Sequence, residues 1–277
     1  KAMVAQERTE LAGSFELSLP MKIGVDNGWA NYTYNSLDGF NTYGVALNPE
    51  YPPLGTIFNW LYRAVNTSNM IIRRAENPEI KWKGQTPEEN EYNKNIILAQ
   101  AKLIRAWAYR HLTYCFGAVP LSLKEVTGET YRNDWERTPV SEVQLQMEED
   151  LLFAEQYLPE NYSDVTVPPK AVAQHYLAEL YLAMNDPVRA EEKVQTVANN
   201  PNFSLCTVRY GVKATQPGVP FMVQFYAGNV LPAEGNHEVL WVLLNEPDVV
   251  GAINNVMRRT WINRYYSFAT VSAEYGG

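Results

Sequence analysis

Three kinds of residue in this chain could do chemistry: histidines, clustered carboxylates, and aromatics interleaved with Asp, Asn and Arg. His111, His175 and His237 lie on separate stretches, and no Gly-x-Ser-x-Gly turn supplies a nucleophile for one of them to activate. No Cys-x-x-Cys or His-x-x-x-His spacing offers metal ligands, so neither a metal nor a cofactor is expected. Carboxylates cluster at Glu148-Glu149-Asp150. Helical neighbours diverge by about 100°, so the triplet reads as a solvated helix face rather than an acid–base pair. No glycine-rich loop leads into a helix as phosphate binding requires. An enzyme is not expected.

The aromatic group offers more. The chain holds 18 Tyr and 7 Trp but only 19% charged residues, which suits a packed helical core or a surface that stacks on flat polar ligands. The stretch "VDNGWANYTYNSLDGFNTYG" brings Asp26, Trp29, Asn31, Tyr32, Tyr34, Asn41 and Tyr43 together without helical period. It belongs to a long segment, 20–55, expected to be a loop. Loops of that length are functional or disordered, and the aromatics speak against disorder. The alternative is that these rings only pin the loop to the helices.

Composition narrows the classes. At 277 residues and 46% apolar content the chain is globular, with a net charge of −8 and pI ≈ 5.1. Without a Lys/Arg-rich run it is not expected to bind nucleic acid. It contains no run of 18 apolar residues that could span a membrane. Its first residues, "KAMVAQERTE", show neither a signal core nor an initiator Met, which suits a cytosolic protein or one whose export segment has been removed. Cys115 and Cys206 stand 91 positions apart and suit two buried thiols or one disulfide, with thiols the commoner outcome.

The elements that must hold these residues are helices over 57–76, 87–116, 139–158, 169–185 and 187–199. Thr86-Pro87, Thr138-Pro139 and Asp186-Pro187 supply a cap and a first-turn proline, and Gly117 and Pro159 supply stops. The first helix shows a stripe of Ile57, Trp60, Leu61, Ala64, Val65, Ser68 and Ile72. The third shows Val140, Val143, Met147, Leu151, Ala154 and Leu158. In the second, Ile96, Ala99, Leu103, Ala106, Trp107, Arg110 and Tyr114 share a face. That phasing predicts a buried Trp107, a structural Arg110 paired or snorkelling in the core, and Arg105 on the polar side with Lys94 and Lys102. Only Asn185-Asp186 separates the last two helices, which forces an antiparallel hairpin with Ala173, Ala178, Ala183 and Ala190 allowing close approach. From 201 onward Gly and Pro multiply ("YGVKATQPGVP"), and "EVLWVLLNE" (238–246) has the length and pattern of a strand.

Four blocks then carry a resemblance. "AQAKLIRAWAYRHLTYCFGAVPL" resembles the signature helix and turn of the SusD/RagB family, through Arg105, Ala106, Tyr109, Leu112, Gly117, Val119 and Pro120. "WLYRAVNTSNMII" is similar to the family's Tyr-x-x-Ile-x-x-Ala-Asn helix through Tyr62 and Asn69. "ERTPVSEVQLQMEEDLLFAEQYLP" is similar to its Arg-Thr-Pro block through Arg137, Thr138, Pro139, Val143, Asp150, Leu151, Leu158 and Pro159. The hairpin over 171–205 is similar through Leu177, Ala178, Tyr181 and Leu182. The blocks follow in family order over 57–205.

The resemblance implies a predominantly all-α fold of tetratricopeptide-like hairpins with long loops and a few short strands. The chain would be the N-terminal portion of a single SusD-like domain, with its helical core at about 57–200 and loop-rich segments at 20–55 and 201–277. It implies a Bacteroidetes surface lipoprotein of the outer membrane. Such a protein delivers oligosaccharide or polysaccharide fragments, or in RagB-like members peptides, to a SusC-like TonB-dependent transporter. Trp29 would then be the stacking platform, with Tyr32, Tyr34 or Tyr43 beside it and Asp26 or Asn31 bonding sugar hydroxyls. The family's C-terminal half and its lipidated cysteine have no counterpart here, so membrane contact would come through an anchor outside this chain. This sequence is read as part of a longer protein.

Overall fold

The computed structural model describes residues 24–26, 38–45, 47–162 and 164–243. Six α-helices lie among them: α1 (Asp38–Thr42), α2 (Pro52–Ala75), α3 (Pro87–Phe116), α4 (Val140–Tyr157), α5 (Lys170–Ala183) and α6 (Pro187–Ala198). Two 3-10 turns follow, at Pro220–Phe225 and Pro232–Glu234. The fold is predominantly all-α. Among the described residues β structure is confined to isolated bridge positions, Val119 paired with Thr138 and a single residue at Val25. The expected strand at 238–246 is not formed over 238–243, and the rest of it lies outside the described residues. Asn236 Oδ1 there accepts the Glu238 and Val239 amides, so a turn consumes the donors a strand would offer.

The chain divides into two compact units, Lys1–Trp60 with Asn245–Gly277, and Leu61–Leu244. In the first, α2 begins five residues before the expected position, because Pro52 and Pro53 occupy a first turn that needs no amide donors. Just before it Tyr51 is buried, its ring 5.2 Å from Phe40.

The second unit is a layered stack in which α3 packs on α4, α4 on α5 and α5 on α6. Caps set most boundaries. Thr86 Oγ1 accepts the Glu89 amide at 3.2 Å and Asp186 Oδ1 the Arg189 amide at 3.1 Å, each ahead of a proline. The hairpin turn is a Schellman motif. Asn185 takes φ 60°, Asp186 N–H reaches Tyr181 O at 2.8 Å and Asn185 N–H reaches Leu182 O at 3.0 Å. Ala173, Ala178 and Ala190 are buried at this contact, whereas Ala183 is exposed.

The start of α4 corrects the cap expectation. Thr138 gives its amide to Val119 O at 3.0 Å, and Pro139 itself is the cap residue. Gly117 ends α3 with positive φ (69°) but ψ −127°, outside the left-handed helical well, so the chain leaves extended toward Pro120. Both cysteines are free thiols. Cys115 is exposed and Cys206 half-buried, so neither is the buried thiol expected.

Candidate functional site

Of the seven residues predicted to form the site, Asp26, Asn41 and Tyr43 lie among the described residues; Trp29, Asn31, Tyr32 and Tyr34 lie outside them. The structure draws the Asp26 turn and the α1 turn together at Gly24. A Cβ on Gly24 would fall 1.9 Å from the Phe40 carbonyl oxygen, and its φ of 73° already excludes most side chains. Tyr43 fastens the pair by donating its hydroxyl to Gly24 O at 2.6 Å. Its backbone is left-handed at φ 48°, and the ring stays 65% exposed. A strained, bonded and exposed tyrosine is a pre-positioned surface. Asp26 is exposed, while Asn41 is half-buried in α1.

In the second unit the polar chemistry is concentrated where sequence phasing did not expect it. Arg105, assigned to the polar side, is 4% exposed. It donates from Nε and Nη2 to Asp150 at 2.8 and 2.7 Å and from Nη1 to Asn69 Oδ1 at 2.8 Å. Asp150, expected in a solvated triplet, is fully buried. The three carboxylates diverge as a helix dictates. Asp150 meets Arg105, Glu148 meets Arg189 of α6 at 2.5 Å, and only Glu149 stays exposed.

Asn69 relays this clasp to the α3–α4 connection. Its Nδ2 donates to Ser122 O at 2.9 Å and Lys124 O at 3.2 Å. Asn66 bonds Val126 through both its amide atoms, and Tyr62 donates to Pro120 O at 2.6 Å. Tyr109 accepts the Ser122 amide at 2.6 Å and donates to Ser122 O at 3.0 Å. Burial pushes the Tyr62 and Tyr109 hydroxyls well above the usual phenol range, so both remain donors at any physiological pH. Tyr62, Asn66 and Asn69 recur at i, i+4 and i+7, one helix face spent on a loop backbone. That polar periodicity was a signal available in the sequence.

The opposite side of α3 corrects the other expectation. Trp107 is half-buried, and Tyr114 is 56% exposed. Arg110 is half-buried too, paired with Glu179 of α5 at 2.7 Å, with its guanidinium 4.7 Å from the Tyr114 ring and 5.9 Å from Tyr176. Trp107, Arg110, Tyr114 and Tyr176 line a small cleft with Met147, Leu151 and Leu180. His175 approaches the same Glu179 at 3.4 Å. Arg110, shared between one carboxylate and two rings, is spent on packing α3 against α5. Among the described residues no group of His, Cys, Asp and Glu could hold a metal ion, and no helix is long and apolar enough to cross a membrane.

Comparison with known proteins places this architecture. A SusD-like family model described as "starch-binding associating with outer membrane" matches residues 11–182. SusD-like protein P2 of Formosa agariphila is 35% identical over 139 residues, 50% of this chain and 26% of that protein. A solved laminarin-binding SusD-like protein superposes at TM-score 0.60 with 21% identity, over 75% of this chain and 45% of its own. A structure solved with a xylogluco-oligosaccharide gives TM-score 0.52 and 24% identity, over 63% of this chain and 34% of that one. This chain spans about a quarter of the curated relative and less than half of either solved structure.

Proposed function

We propose, because this chain belongs to the SusD-like family, that it captures glycans at the outer membrane and hands oligosaccharide to a SusC-like TonB-dependent transporter. The family match over residues 11–182 carries the reading, since it takes in the tyrosine-rich loop and the helices that follow. The geometry suits it. Tyr43 offers an exposed, fastened ring next to the Asp26 turn, and sugars present flat C–H faces and hydroxyls to such a surface. Trp29, Asn31, Tyr32, Tyr34 and Asn41 would complete the platform. The site binds and does not catalyse.

Calorimetry against laminarin, xyloglucan and starch oligosaccharides tests the reading, with unstructured peptides as the competing cargo. Binding to at least one glycan is expected, weakened about ten- to a hundredfold by Trp29→Ala, since one stacked ring contributes roughly 1–3 kcal/mol. Binding to peptides with no glycan bound overturns it. Co-purification from native outer membrane without a large β-barrel partner would remove the transporter.

A further inference from the structure

The α3–α4 connection is pinned at both ends of an 11-residue excursion, 127–137. Val126 is held by Asn66 on one side, and Thr138 N–H is bound to Val119 O on the other. Inside, Thr130 Oγ1 accepts the Thr127 amide at 2.7 Å and donates to Glu125 O at 2.9 Å, which fixes the turn. Residues 128–137 are all exposed, yet they include Tyr131 at 72% and Trp135 at 38% exposure. Arg132 lies 4.8 Å over the indole. It is locked there by Asp134, whose Oδ1 takes Nε at 2.7 Å and whose carbonyl takes Nη2 at 3.2 Å.

Among the described residues Arg132 Nη1 meets no hydrogen-bond acceptor, and the Asp134 carboxylate beside it stays 73% exposed. A donor and an acceptor side by side match the paired hydroxyls of a sugar, and the neighbouring rings match its C–H faces. The segment sets two arginines against three carboxylates, and that near-balance favours a neutral ligand over a phosphate or sulfate. We propose that loop 127–137 is a second carbohydrate site, taking a neutral glycan chain on Tyr131 and Trp135 with Arg132 and Asp134 bonding its hydroxyls. The proposal rests on the glycan-binding reading above and adds valency to it. Two sites on one chain favour a long polymer over a short oligomer, because the second contact is intramolecular.

The test compares the 277-residue chain with Tyr131→Ala/Trp135→Ala, using a short oligosaccharide and the parent polymer of whichever glycan binds. The double variant is expected to lose about tenfold in affinity for the polymer and nothing for the oligomer. Trp135 is also expected to be protected from hydroxyl-radical oxidation by polymer, read by mass spectrometry on the unaltered chain. Equal polymer affinity in both proteins with Trp135 unprotected overturns the second site and leaves the glycan reading standing. Equal loss for oligomer and polymer, with an unchanged melt, overturns it as a separate site. A wild-type chain that binds no glycan overturns both.

Discussion

Arg105 and Arg110 stand five residues apart on one helix, each paired with a carboxylate at 2.7 Å from a neighbouring helix. They nevertheless do different work. Arg105 and Asp150 have almost no solvent exposure (5% and 0% of side chain), and all three guanidinium nitrogens reach a named acceptor. Arg110 and Glu179 keep 23% and 32% exposure, and the guanidinium leans on two tyrosine rings. A dry charge must be fully bonded because its desolvation costs several kcal/mol, whereas a wet one is screened and replaceable. The first pair specifies how α2, α3, α4 and the 119–126 strap meet; of the second, Arg110 lines a cleft.

Breaking the dry pair should have the largest effect. Asp150→Ala orphans Arg105 in the interior and should destabilise the protein by about 3–5 kcal/mol in a urea melt. Replacing both partners together, Arg105→Met with Asp150→Leu, should recover most of that loss, since the cost lies in the unpaired charge. A double variant as unstable as the single would mean that the clasp contributes net attraction and not only satisfaction.

Asn69→Ala comes next. It removes one contact to a charged group and two to strap carbonyls, for about 2–3 kcal/mol. Hydrogen exchange should show the Ser122 and Val126 amides losing protection together. If only one of them opens, the strap is not a single cooperative unit.

This pair of predictions also marks what the sequence could and could not disclose. Helix ends were legible because caps and prolines act locally: Thr86-Pro87 and Asp186-Pro187 stand where expected. The phase of α3 was not. Its buried residues, from Leu98 through Arg105 and Tyr109 to Thr113, cover more than half the circumference. A stripe drawn from apolar residues alone fell about 100° away, one residue's step. Asn69 and Asp150 make Arg105 buriable, and they lie 36 and 45 positions away, so no local pattern reveals the partnership. For the candidate site, residue types were legible in Asp26, Asn41 and Tyr43. The Gly24 approach and the Tyr43 bond that shape it depend on backbone contact across 19 positions.

Variants on the wet side sharpen the contrast with smaller numbers. Trp107→Ala should cost about 1–2 kcal/mol, short of a full core deletion because the indole is only half-buried. Arg110→Ala should cost about 1 kcal/mol or less in the same melt. A loss for Arg110→Ala that matches Asp150→Ala would erase the distinction between the two pairs.

The smallest expected effect is a pH dependence on that same side. His111 bonds the Trp107 carbonyl through Nδ1 at 2.9 Å, and its ring lies 4.2 Å from the Trp107 ring, tilted by 44°. Burial holds its pKa below the usual 6.5; the Trp107 carbonyl is the strongest opposing pull, and the positive charge of Arg110 adds a smaller lowering against a smaller rise from Glu179. The unfolded chain therefore takes up a proton near pH 6.5 that the folded chain still refuses. Above that pH the histidine contributes no pH dependence. Below it stability falls, and the loss levels off only once the pH has passed the folded value. His111→Gln should flatten this part of the stability–pH curve. Arg110→Ala should move its lower end upward, because removing the nearby cation raises the folded pKa. A curve between pH 7 and 5 that is the same with and without His111 would show that the imidazole is as well solvated folded as unfolded.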